Sequence, residues 1–155
     1  MSGIYTVPFS SVAVTAQQDF FEITAHATKQ CVLLGWGVSQ SSDVGDAAEE
    51  GLSIIVKSGQ TTSGSGGTAP TPTPNDGSGA AAGFTAEVNN TTKASAGTIL
   101  THYSYNWNVR VGMDVILPEQ MQLIFGAGRR LTIELATTPA DSLTVSGYAI
   151  IQEIG

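Results

Sequence analysis

Few residues in this chain have the type and spacing to do chemistry. The two histidines, His26 and His102, are 76 positions apart and form no His-x-His or His-x-x-x-His pair, so no metal is expected and both read as surface residues. Asp43, Asp46, Glu49 and Glu50 crowd four carboxylates into SDVGDAAEE, which invites a Ca²⁺ reading because hard cations want several carboxylate oxygens. The spacing is not that of an EF-hand loop. A solvated acidic loop is expected instead. Cys31 is the single cysteine and lies in the apolar run QCVLLGW, so it has no internal disulfide partner and reads as a small core residue.

Nucleophilic and phosphate-binding patterns are missing as well. No G-x-S-x-G elbow occurs, and no lysine follows the glycine that a phosphate loop requires. The 13 acids contain no pair that stands out for glycoside hydrolysis. Asn89 to Thr92 (NNTT) holds glycosylation sequons, read here as a polar turn. No catalytic residue, cofactor site or metal site is assigned, and the chain is expected not to be an enzyme. Tyr103, Tyr105 and Trp107 alternate along one strand face, which places them in a core or subunit interface ahead of a sugar platform. Arg129 and Arg130 point to opposite faces, so at least one is expected to be exposed or paired with a carboxylate across an interface.

Charge narrows the partners. The net charge is −7, and the six basic residues (Lys29, Lys57, Lys93, Arg110, Arg129, Arg130) are scattered, so no basic stripe exists to neutralise phosphates and nucleic acid is disfavoured. Charged residues make up 12% of the chain, against roughly 25% in soluble proteins. Uncharged polar residues or partner chains must therefore cover much of the surface. No run reaches the roughly 18 apolar residues of a membrane span, and the amino terminus lacks a basic segment followed by an apolar stretch. A soluble protein made in the cytoplasm is expected.

The elements that would position these residues are strands. VAVTA, DFFEITA, QCVLLGWGVSQS, LSIIVKS, GFTAEVN, TILTHYSYNWNVRV, EQMQLIF, RRLTIELAT and LTVSGYAIIQEI are rich in β-branched and aromatic residues, and most alternate with period two. Gly35 and Gly37 predict a close backbone approach or a bend in the third of these. Along LTVSGYAIIQEI both parities are apolar, which predicts a bulge and a switch of buried face near Gly147. Only DVGDAAEEG offers a helical turn. Eight or nine strands in 155 residues predict one all-β domain, an antiparallel two-sheet sandwich of jelly-roll type. An immunoglobulin-like topology competes but lacks its Cys pair.

Residues 59–83, GQTTSGSGGTAPTPTPNDGSGAAAG, contain one formal charge, Asp76, and no aliphatic side chain larger than Ala. They are expected to be a flexible loop insertion between core strands, spanning on the order of 25–30 Å if fully flexible. Closing such a loop costs little more than closing a short one, because the entropy grows with the logarithm of length. Loops of this length tend to be functional or disordered, and an arm ordered against a neighbouring subunit is the functional alternative. Residues 1–10 are expected to form an amino-terminal arm.

Nearly the whole chain resembles small β-rich proteins from the structural modules of tailed bacteriophages and prophages, encoded near the major capsid protein. The likeness is carried by SSVAVTAQQDFFEITA, SQSSDVGDAAEEGLSIIVKSG, GFTAEVNNTT and ADSLTVSGYAIIQEIG. It implies a capsid decoration, or cement, protein: a homotrimer on the virion surface that binds the major capsid protein and clamps neighbouring capsomers. It transfers no site residues. The alternative is a receptor- or glycan-binding module of a head or tail fibre, with an exposed aromatic cluster among Asn and Asp side chains.

Overall fold

The computed structural model describes residues 3–42 and 49–155. Asp43, Asp46 and most of the expected helical turn lie outside them. Among the described residues there are eleven strands: β1 (Gly3–Val14), β2 (Gln18–Thr24), β3 (Gln30–Gln40), β4 (Gly51–Thr62), β5 (Thr73–Pro74), β6 (Thr85–Asn90), β7 (Ser95–Asn108), β8 (Met113–Ile116), β9 (Leu123–Phe125), β10 (Arg130–Leu135) and β11 (Leu143–Ile154). A 3₁₀ turn, Glu119–Met121, separates β8 from β9.

The strands form two antiparallel sheets, so the fold is the jelly-roll-like β-sandwich that alternation predicts. The first sheet has the order β5-β1-β11-β3-β8, with β9 pairing β3 beside β8; the second has the order β6-β2-β10-β4-β7. Inward-facing residues of both sheets fuse into one core, including Phe9, Phe20, Phe21, Leu33, Trp36, Leu52, Ile54, Trp107, Ile133 and Ile151. Phe9 packs on Phe21 with centroids 5.3 Å apart, and Trp36 meets Tyr105 edge-on at 5.2 Å, so aromatic contacts tie the layers together. Cys31 lies in this core as expected.

Two local expectations need correction. Residues 3–10 are not an arm but the first part of β1, paired with β11 from Gly3↔Glu153 to Phe9↔Gly147. Tyr5, Val7 and Phe9 alternate inward, and burying three such side chains holds the segment in the sheet. The switch of buried face expected in β11 near Gly147 falls instead in the strand opposite, β1, whose buried parity changes between Phe9 and Val14. β11 keeps one parity inward throughout, Leu143, Val145, Ala149 and Ile151 being buried. Bulges lie in both strands opposite it: β1 carries an extra residue between Phe9, which pairs Gly147, and Val12, which pairs Val145, and in β3 Ile150 pairs Gly35 and Ile151 pairs Leu33, leaving Leu34 as the extra residue. Leu33 and Trp36 can therefore both point into the core.

Residues 59–62 complete β4, and the rest of the segment, 63–83, lies along both sheet edges on one side of the sandwich. Ser65 and Thr68 bridge to Thr92 and Val88 beside β6, and Thr73–Pro74 then pair with Tyr5 and Thr6 on the edge of β1. The Asn75 amide donates to the Ile4 carbonyl at 2.9 Å, and the Tyr5 hydroxyl donates to the Ala80 carbonyl at 3.2 Å. Missing side chains make this possible: a Cβ on Gly67 would stand 2.1 Å from the Val88 carbonyl oxygen. The alternating Thr-Pro run suits an extended partner strand, and its prolines present no N–H for a further strand to use. A segment that buries little of itself thus closes two open edges.

Candidate interaction surface

The outer face of the second sheet carries Glu22, Glu134, Lys57, Arg130 and the buried Asp19, and the chain leaving β4 and entering β7 covers it, the Gly64 and Ala94 amides donating to Glu22 and Asp19. Glu22 Oε1 pairs with Arg130 Nε at 2.7 Å and accepts the Ser63 hydroxyl at 2.7 Å, while Oε2 accepts the Gly64 amide and Asn90 Nδ2, each at 2.9 Å. Glu134 lies between Lys57 at 2.7 Å and Lys93 at 2.8 Å. Burial alone would raise its pKa, but hydrogen bonds from the two lysines prevail and hold it below the ordinary value. Asp19 accepts the Ala94 amide at 2.8 Å. Burial, aided by the charges of Glu134 and Glu22, pushes its pKa up to about 7.

Each of these carboxylates is engaged by cations, amides or a hydroxyl of the same sheet and of the covering segments, so the cluster clamps the fold. Among the described residues, no three His, Cys, Asp or Glu side chains converge as metal ligands. His26 accepts the Thr28 amide in the β2–β3 turn, and His102 on β7 is hydrogen-bonded to Ser58 at 2.7 Å. Asn89 and Asn90 are buried partners of Gln18 and Glu22. Glu50 accepts the Ala140 amide. Arg130 meets its carboxylate within the chain, and Arg129 lies exposed in the turn before it. Tyr105 packs on the core, while the Tyr103 hydroxyl donates to the Met121 carbonyl at 2.8 Å and so bridges the two sheets.

The outer face of the first sheet is of a different kind. Solvent-facing sides of antiparallel sheets normally carry polar residues. Strand registers here build three rows: Ile4, Gln152, Val32 and Ile124; Thr6, Ile150, Gly35 and Ile116; Pro8, Tyr148, Gly37 and Asp114. Ile154 continues the apolar parity at the end of β11. Ile116 and Ile124 are 69% and 68% exposed, and Ile4 and Ile154 about 40%. In these rows the one formal charge is Asp114, which accepts the Tyr148 hydroxyl at 2.6 Å. Partial burial, with that bond and the neighbouring charge, pushes the Tyr148 pKa up to about 12.

Gly35 and Gly37 leave the middle of β3 flat between the side chains of β8 and β11, as the expected close approach requires. A shallow cavity of about 250 Å³ opens there, lined by Gly37, Ser39, Asp114, Gly147 and Tyr148 among others. A second cavity, of about 350 Å³, lies at the face's margin under the 74–81 turn and shares Ile4 with it. The sequence signal for this face was the double apolar parity of LTVSGYAIIQEI: one parity is core and the other is exposed surface. No site residue was assigned to it from sequence.

No protein-family model matches the chain, and no curated protein matches it. Among solved structures, a mutant VP2 protein of infectious bursal disease virus, in derived T=1 particles, aligns over 99% of this chain and 40% of its own, at 14% identity and a TM-score of 0.19. This chain thus spans about two fifths of that viral protein, and a likeness of this size carries no argument about fold or function.

Proposed function

We propose that this chain is a virion structural protein, a capsid decoration subunit of a tailed bacteriophage or prophage that docks on the major capsid protein lattice through the outer face of its first sheet. The observation that carries the reading is the row structure of that face: exposed Ile4, Ile116 and Ile124 on a flat glycine-bearing sheet, in rows whose one formal charge, Asp114, is held by Tyr148. Contiguous exposed apolar surface of this kind marks interaction sites. Three ion pairs, Lys57–Glu134, Lys93–Glu134 and Arg130–Glu22, lie on the opposite sheet, so docking on these rows would have to desolvate one charge, Asp114.

The activity is mechanical and non-enzymatic. A subunit that binds the closed lattice better than separated capsomers stabilises the shell by linkage, and a trimer multiplies the effect through avidity. Purified protein added to undecorated shells of the major capsid protein encoded in the same structural module tests this. Co-sedimentation, with shells that break at a higher temperature, is expected; protein left in the supernatant with no shift in breakage would refute it. A glycan-binding fibre module is the second reading. It is favoured at one place, where the Tyr148 ring and Asp114 carboxylate share the smaller cavity. That reading predicts binding to host cell-surface sugars and none to shells.

A further inference from the structure

We infer that β7 is a self-pairing edge: two copies of this chain join their second sheets antiparallel, β7 against β7, about a two-fold axis beside Tyr105. This edge belongs to the sheet opposite the docking face, so the pairing stands apart from the docking reading above.

A strand at a sheet edge presents unpaired N–H and C=O groups, and monomeric proteins blunt such edges with short strands, proline, charge or a covering segment. Among the described residues, three of the four edges are blunted in these ways. β5 is two residues long and ends in Pro74; β8 and β9 are four and three residues long and are parted by Pro118. β6 is covered by the bridges at Ser65 and Thr68. β7 is the exception. It runs for 14 residues, pairs β4 on one side and no strand on the other, and contains neither proline nor formal charge.

That composition suits a second copy. A chain of net charge −7 repels its own kind, and a strand without charges is where two copies meet at the least electrostatic cost. β7 carries an extra residue between Thr101 and Tyr103 and another between Gly97 and Leu100, but from Tyr103 to Asn108 it pairs β4 without a break. An axis beside Tyr105 sets Ser104 opposite Asn106, and Tyr103 opposite Trp107, of the other copy. Opposed positions differ by an even number, so every residue keeps its own face. Aromatic pairs then lie on the core side and uncharged polar pairs on the outer side, with no like charges opposed.

The same register brings Ile99 and Leu100, 42% and 54% exposed, toward the turn that follows β7 in the other copy, where Val111 is 65% exposed. Three apolar side chains that the single chain leaves in water are covered in the pair. The contact is isologous and closes at two copies, whereas the three-fold of the trimer that the resemblance implies cannot set β7 against β7.

Sedimentation equilibrium and native hydrogen exchange, each from about 5 to about 500 µM protein, test this. A mass rising toward twice 16.0 kDa is expected, with about tenfold slower exchange at the β7 amides that point away from β4 and no change in β2 or β10. Ser104→Glu with Asn106→Glu, both at exposed positions, opposes like charges across the axis and should leave a monomer of unchanged melting temperature. Ser104→Glu with Asn106→Lys opposes unlike charges and should pair again. A monomer or a trimer throughout, a pair whose β7 amides stay unprotected, or failure of the charge reversal to restore pairing would overturn the inference. Protection of β7 only when shells are added would assign the edge to a capsid strand and overturn it as well. Shell binding itself is independent of the pairing, and the monomeric variant should still pellet with shells.

Discussion

The α-carbon of Gly35 lies so close to the Val115 carbonyl that a Cβ at position 35 would stand 2.6 Å from that oxygen. The contact seats β8 on the edge of β3 and brings Ile116 onto the outer face. Backbone cannot yield as a flexible side chain can. Gly35→Ala is therefore expected to cost about 1–3 kcal/mol, read as a lower denaturant midpoint at unchanged slope.

Asp19 is expected to give stability a characteristic pH dependence. Its pKa is about 7 in the folded protein against an ordinary 3.8, so between these values the folded state binds the extra proton. Stability from this group is complete below about pH 4 and is lost as pH rises through 7, by at most on the order of 4 kcal/mol. Glu134, held low by its lysines, acts in the opposite sense and loses its contribution as pH falls. Asp19→Asn should flatten the decline in melting temperature between pH 4 and 7. An unchanged profile would mean that Asp19 titrates normally beneath the segment that leads into β7.

Glu22 joins the 63–64 segment to the second sheet through four partners. Removing it leaves the half-buried Arg130 guanidinium without its carboxylate. Glu22→Ala is expected to destabilise the protein by about 3–5 kcal/mol and to speed hydrogen exchange at Ser65 and Thr68 first.

Cys31 is fully buried, and that burial, with Glu153 nearby, pushes its thiol pKa up to about 12. The thiolate is the reactive form. Native protein at pH 8 should react with a disulfide reagent only at the rate at which the sheet opens, and denatured protein at once. Fast native labelling would contradict the packing of β3 against β9 and β11.

Alternation made most of the sandwich legible in the sequence, because period-two burial is a local property of each strand. Trp107 and Val109 are buried on the expected parity, and Tyr103 and Tyr105 pack partly behind them. β5 and β8 were not legible. Two residues of Thr-Pro, and four residues cut off by Gly112 and Pro118, are too short to show a period, and both owe their strand character to an edge supplied from elsewhere in the chain. The outer face was hidden for a related reason. Ile150 and Ile154 are apolar like Ala149 and Ile151, and composition alone does not tell a strand with two apolar faces from one that changes its buried face. Pairing registers separate the two cases, and those are non-local.

Co-sedimentation of three proteins with undecorated shells tests most directly whether the first sheet is the docking face. Ile116→Glu with Ile124→Glu places two charges at positions that are already exposed, and Ser104→Glu with Asn106→Glu does the same on the second sheet. The first variant should fold with an unchanged melting temperature and stay in the supernatant, while the second should pellet with the shells as the parent protein does. Equal pelleting of both variants, or loss of binding only in the second, would contradict the assignment.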